Sequence, residues 1–238
     1  MTYVAPLRTV EITAEPATSI DGVLERMYAI DDALSRHDGV AHFNRLYLRV
    51  TERVLEAVEA RRFGDRNFLD QLDVDFANLY FEAFEADQRG EPVAPAWTPL
   101  FAGRDREQTF PIQFALTGMN AHINHDLPIA LIATCGVQSL ELEEGGPAHR
   151  DYTTVNAILA EVEQEMKAWF TEGFIGPVER AMGKLDDALA MWSISAAREI
   201  AWENAQILSH LQQHPWLEGL YSRTLARSVS MAGRAMLV

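Results

Sequence analysis

Apolar residues recur at intervals of three and four along most of the chain, and strand-like alternation never lasts more than about four residues. Ile20, Val23, Leu24, Met27, Ile30, Ala33 and Leu34 form one helical stripe, with Ser19 placed as its N-cap. Asp38-Gly39 breaks that helix and caps the next. There Phe43, Leu46, Tyr47, Val50, Val54, Leu55 and Val58 share a face, and Arg45, Arg49, Glu52, Arg53 and Glu56 fall mostly off it. Gly64-Asp65 ends the second helix, and a third runs from Asn67 to Ala86. Residues 90–107 are rich in Pro and Gly and have no period. They read as a long loop that packs over the domain with Trp97 anchored, because its apolar residues and three prolines do not suit a disordered excursion.

A further helix spans Pro111 to Leu140 and is apolar almost all round, which places it near the centre of the fold. Pro128 lies inside it. The ring clashes with the carbonyl of Asn124 and removes one hydrogen bond, so a break or kink of more than about 20° is expected between Asn124 and Ala130. The acidic loop Glu141–Pro147 ends this segment. Helices are expected again over Tyr152–Thr171, Leu185–Gln213 and Leu217–Met236, separated by Gly173–Pro177 and His214-Pro215. The pattern predicts an all-α fold, a single-domain bundle of about seven helices with a central, Pro-kinked apolar helix. Residues 1–18 read as an irregular N-terminal arm and 19–238 as the single helical domain.

With 238 residues and 48 % hydrophobic content, the chain can build a sizeable core. Its formal charge of -15 argues against a nucleic-acid partner, since no stretch gathers the Lys and Arg that a phosphate backbone requires. No basic segment followed by an apolar core opens the sequence, and the longest apolar run, Leu127–Val137, is too short for a bilayer. The expectation is a cytoplasmic protein without a membrane partner. The only cysteine, Cys135, excludes an intramolecular disulfide and reads as an inert buried thiol.

The chemistry is concentrated in Gly118-Met119-Asn120-Ala121-His122-Ile123-Asn124-His125-Asp126-Leu127-Pro128. Polar groups within an apolar helix must be hydrogen-bonded or metal-bound. His122 and Asp126 share one face, Asn120 and Asn124 another, about 160° away. Three readings follow. His122, tuned by Asp126, acts as general acid or base in a metal-free pocket. Alternatively His122 and Asp126 supply two metal ligands, completed by Asp73, Asp75 or Glu82 of the third helix or His42 of the second. In the third reading the box is structural, with His122 paired to Asp126 and the Asn side chains tying down backbone freed by Pro128. Neither His-Glu-x-x-His nor a repeated Glu-x-x-His occurs, and there is no phosphate loop and no Gly-x-Ser-x-Gly elbow. Asp73 lies on the buried face of the third helix, where an acid is paired or functional, and Arg198 is a candidate partner. Tyr80 and Trp97 are placed to line or cover a pocket.

The box, together with Asp38–Tyr47 and Leu72–Tyr80, resembles an actinobacterial, all-helical family classed as a domain of unknown function and marked by Gly-Met-Asn-Ala-His-Ile-Asn-x-Asp-Leu. The resemblance runs from Ser19 to Val238 and takes in Leu185-Asp186-Asp187 and Ala232-Gly233-Arg234. It implies no settled activity or cofactor. It points to Asn120, His122, Asn124 and Asp126, and to Asp73 and Asn78 of the third helix, and it leaves His125 at the open position. The reading is a small-molecule enzyme of specialised metabolism acting on a largely apolar substrate. His122, Asp126 and Asp73 are its catalytic groups, and Asn120, Asn124, Asn78, Tyr80, Trp97 and Arg198 line the substrate site. A metal-dependent enzyme using His122 and Asp126, and a non-catalytic ligand- or partner-binding module, are the alternatives. The sequence names no cofactor and no oligomeric state.

Overall fold

Short polar residues start the helices where the sequence places them. The Ser19 hydroxyl accepts from the Gly22 N–H at the head of α1 (Ile20–Ala33), and Asp38 accepts from Val40 N–H at the head of α2 (Gly39–Glu59). Asp65 does the same for α3 (Arg66–Gln88). The computed structural model describes residues 15–60, 62–172 and 193–238. Within them lie α4 (Thr98–Gly103), α5 (Pro111–Ala121), a π-turn (His122–Asp126), α6 (Leu127–Gln138), α7 (Pro147–Glu172), α8 (Ile194–Leu211) and α9 (Pro215–Met236). Counting α5, the π-turn and α6 as one rod gives eight helices among the described residues, folded as one all-α domain.

The eighth, beyond the expected seven, is α4. It lies inside the segment read as an aperiodic loop, and six residues with Pro99 in the first turn are too short to show a period. Trp97 precedes it and is 1 % exposed, so the expected anchoring is present. The arm expected over 1–18 lies outside the described residues up to position 14. Gly173–Pro177 and the Leu185–Trp192 part of the expected penultimate helix also lie outside them, as does the Leu185-Asp186-Asp187 match.

The interruption expected at Pro128 is a π-turn. Leu127 N–H bonds the carbonyl of His122, five residues back, and the backbone at Ala121, His122, Asp126 and Leu127 stays right-handed helical. Pro128 sits within the first two residues of α6, where a missing N–H costs little. Widening the preceding turn accommodates the proline within a helical path.

This rod is the centre of the bundle: α5 packs on α2 and α9, and α6 packs on α3 and α8. The α2–α5 crossing is close because residue 118 is Gly. A Cβ there would lie 2.3 Å from Phe43 Cγ and 2.7 Å from Phe43 Cβ. Gly118→Ala is therefore expected to destabilise the fold by about 2–3 kcal/mol through overpacking. A thermal melt checks it, and an unchanged midpoint would show that α2 and α5 can separate freely. Cys135 is buried, and burial pushes its thiol up to about 11, as suits an inert group.

Candidate functional site

The π-turn brings two box histidines and one distant tryptophan to a single carboxylate. Asp126 Oδ2 accepts from His122 Nδ1 at 3.0 Å and from Trp97 Nε1 at 3.0 Å, and Oδ1 accepts from His125 Nδ1 at 2.7 Å. Asp126 is 3 % exposed. Burial alone would raise its pKa, but the bonds from His122 and His125 outweigh it and hold the carboxyl below its ordinary value. Asp126 is thus a buried anion with three N–H donors.

His122 is completely buried. Its ring stacks on Phe76, with centroids 3.5 Å apart and planes 5° from parallel, and meets Tyr47 edge-on at 4.5 Å and Phe43 at 5.8 Å. Burial lowers its pKa from the ordinary 6.5, and the bond to Asp126 only partly offsets that, so the imidazole is neutral at pH 7. A carboxylate can only accept, so the proton of the neutral ring sits on Nδ1. Nε2 is then a lone pair, buried and without a hydrogen-bond partner among the described residues.

Beside His122 lies a cavity of about 50 Å³, walled by α2, α3, the central rod, α7 and α8. Its side chains are aliphatic or aromatic except for four: His122, Asp73, Tyr47 and Arg198. Asp73 Oδ2 is shut off from solvent and has no partner among the described residues, although the residue as a whole is only half-buried. Burial first, and then the charge of Asp70, raises the Asp73 carboxyl to about 7. The Tyr47 hydroxyl is buried too; burial, Asp73 and Asp126 push its pKa well above the ordinary value, and the neighbouring Thr51 hydroxyl offsets this only in part. Arg198 is 6 % exposed. Its Nε donates to Asn156 Oδ1 at 2.8 Å and its Nη2 to the Tyr152 carbonyl at 2.7 Å, and the guanidinium lies 4.0 Å over the Tyr152 ring.

The residues singled out from sequence thus divide. His122, Asp73 and Arg198 line the cavity, and Asp126 and Trp97 support His122 from behind. Asp73 and Arg198 do not pair, contrary to the expectation, because α8 commits the guanidinium to α7 instead. Asn120 and Asn124 lie on the other face of the rod. Asn120 Nδ2 donates to the Val229 carbonyl of α9 at 2.9 Å, and Asn124 Nδ2 donates to Asn120 Oδ1 at 3.2 Å. Asn78 is bonded both ways to the backbone of Ala17, at 2.9 Å each. Tyr80 donates to Asn44 Oδ1 at 3.2 Å and stacks on Trp97, so it backs the site without lining it. None of these four is a cavity residue.

A metal on His122 and Asp126 fits this donor set poorly, since it would have to displace the bonds from Trp97 and His125. Of the suggested further ligands, Asp75 accepts from Thr134 and Gln71, His42 stacks on Phe114, and Asp73 alone lines the cavity. Among the described residues no three or more His, Cys, Asp or Glu side chains converge as a metal site.

Two contributors escaped the sequence reading. His125, at the open position of the box, is one residue from Asp126 and three from His122, and that adjacency was the available signal. Tyr47 was visible only as part of an apolar face.

A model of a family of unknown function, DUF5995, matches residues 20–238. The chain belongs to the DUF5995 family. No curated protein and no solved structure matches it. Membership covers the whole central rod and every cavity residue, so the site is built entirely from the family's shared region.

Proposed function

We propose that this DUF5995 member is a small-molecule enzyme in which His122 is the general base and Asp73 the general acid. The observation that carries the reading is the coincidence, at one cavity, of an unpartnered imidazole nitrogen and an unpartnered carboxyl raised to about 7. Burying two unsatisfied polar groups costs stability, and such strain concentrates where function requires it. Asp126 orients the ring and stabilises the imidazolium formed when Nε2 takes a proton. Trp97 and His125 keep Asp126 ionised meanwhile. One proton leaves the substrate for Nε2 and another arrives from the Asp73 carboxyl, which suits an isomerisation or an elimination.

The apolar walls select a largely apolar substrate. A volume of about 50 Å³ holds only a few waters, so the half-buried rim at Asp73 and Phe76 must move to admit it. The acidic charge and the lack, among the described residues, of a helix long and apolar enough to cross a membrane support a cytoplasmic enzyme of specialised metabolism without nucleic-acid or membrane partners. The box motif and an actinobacterial source belong to the same proposal. The structural reading of the box retains Asn120, which bonds the Val229 carbonyl of α9, and Asn124, which bonds Asn120.

The test is turnover of a mixed metabolite extract, followed by mass spectrometry, with the wild type and His122→Asn. The Asn amide keeps an N–H for Asp126 and removes Nε2. We expect species converted by the wild type to be converted at least about 100-fold more slowly by the variant, with thermal midpoints within a few degrees. Conversion by the variant at the wild-type rate, or no conversion by the wild type, would count against the proposal. For any substrate found, the rate should follow a narrow bell in pH. It rises as His122 loses its proton below pH 6.5 and falls as Asp73 ionises near pH 7. A rate still rising at pH 9 would remove Asp73 as the acid.

A further inference from the structure

Among the described residues the charge balance of the cavity is incomplete. Asp126 is answered by three donors, and Asp73 is about half protonated at neutral pH. Arg198 is a buried cation on the same cavity, and no carboxylate lies within ion-pair distance of it among the described residues. Among the described residues only two of its five N–H groups are taken, by the neutral acceptors Asn156 Oδ1 and the Tyr152 carbonyl. A buried guanidinium without a counter-charge is costly, and an anion that reaches it supplies what the described residues do not.

We infer that the cavity takes a small apolar monocarboxylate, its acid group on the Arg198 guanidinium and its hydrocarbon part along Val50, Val54, Leu69, Val155 and Leu159. A carboxylate suits this site better than a phosphate. The cavity holds one guanidinium and no second cation among its described residues, so a dianion would leave uncompensated charge. The remaining wall is aliphatic and aromatic, so the rest of the ligand is hydrocarbon. This assignment rests on the cavity being the substrate site. It adds an orientation: the acid is held at α8, and the carbon atoms nearer α3 are presented to His122 and Asp73.

The experiment is calorimetric binding at pH 7.5 of butanoate, hexanoate and octanoate, each beside its primary amide. At least one acid should bind the wild type about tenfold more tightly than its amide, and Arg198→Met should bring the two within about twofold. Because Arg198 also ties α8 to α7, a second readout uses the wild type alone. The bound pKa of a 1-¹³C-labelled acid, followed by NMR, should lie below that of the free acid. Equal affinity for acid and amide, an unshifted bound pKa, or no binding at any chain length overturns the inference. Binding is read without turnover, so such a result leaves the His122→Asn comparison standing. Conversely, carboxylate binding that survives in His122→Asn supports Arg198 whatever becomes of the general base.

Discussion

Asp126→Ala is expected to lower stability by about 3–5 kcal/mol. The change removes one buried carboxylate and leaves the N–H groups of His122, His125 and Trp97 without their acceptor. Each buried orphan donor costs roughly 1–3 kcal/mol, and the methyl group leaves a void where the carboxylate stood. In a chain of this size the midpoint should fall by about 10 °C. Asp126→Asn should fall by less, because the amide oxygen still accepts. The same group makes the protein acid-sensitive. A carboxyl whose folded pKa is depressed contributes stability that is full above the unfolded value near 3.8 and is lost as the pH falls through the folded value. Melting curves across pH 3–8 check both points, and an Asp126→Ala midpoint within 2 °C of the wild type would show that the three donors find other partners.

Asp73→Asn is expected to act in the opposite direction, raising stability by about 2–4 kcal/mol at pH 8. The folded carboxyl titrates at about 7 and the unfolded one near 3.8, so the folded state holds the proton more tightly between these values. Stability is therefore lost by the wild type as the pH rises from 3.8 to 7, and the loss is complete above that window. An amide does not titrate. Its advantage should be greatest above pH 7 and shrink towards nothing below pH 4, apart from any change in hydrogen bonding. The range is set below the full value of the shift because residue 73 is only half-buried. Paired melts at pH 4 and pH 8 decide it; a variant no more stable than the wild type at pH 8 means that Asp73 has a compensating partner. A site residue whose removal stabilises the fold while impairing turnover is the usual mark of function held at the cost of stability.

Local order was what the sequence exposed. Ser19 and Asp38 could be placed as caps because capping needs only a short side chain and the next turn of backbone. The His122–Asp126 bond follows from a spacing of four. What depended on distant chain was out of reach. Arg198 was offered to Asp73 because both are ionisable residues on apolar faces; Asn156 and Tyr152 claim it through the packing of α7 against α8, which no spacing encodes. Asn120 was assigned to the site on the family resemblance. Yet a residue two positions from His122 on a helix points to the far side, and there it meets Val229 of α9. The cavity is likewise the meeting of five elements and has no local signature.

The π-turn also acts as a phase shifter. Each residue of an α-helix advances the side-chain direction by about 100°, so one additional residue in a turn offsets everything that follows by that angle. An apolar stripe drawn along α5 and continued by count through residue 126 arrives on the wrong side of α6. This accounts for an otherwise odd pair in the most apolar helix of the molecule: Ile129 is 40 % exposed and Val137 is 75 % exposed, two turns apart on one outward line. The single rod thus has two independent azimuths, one set for α2 and α9 and the other for α3 and α8. His122 stands at the junction between them.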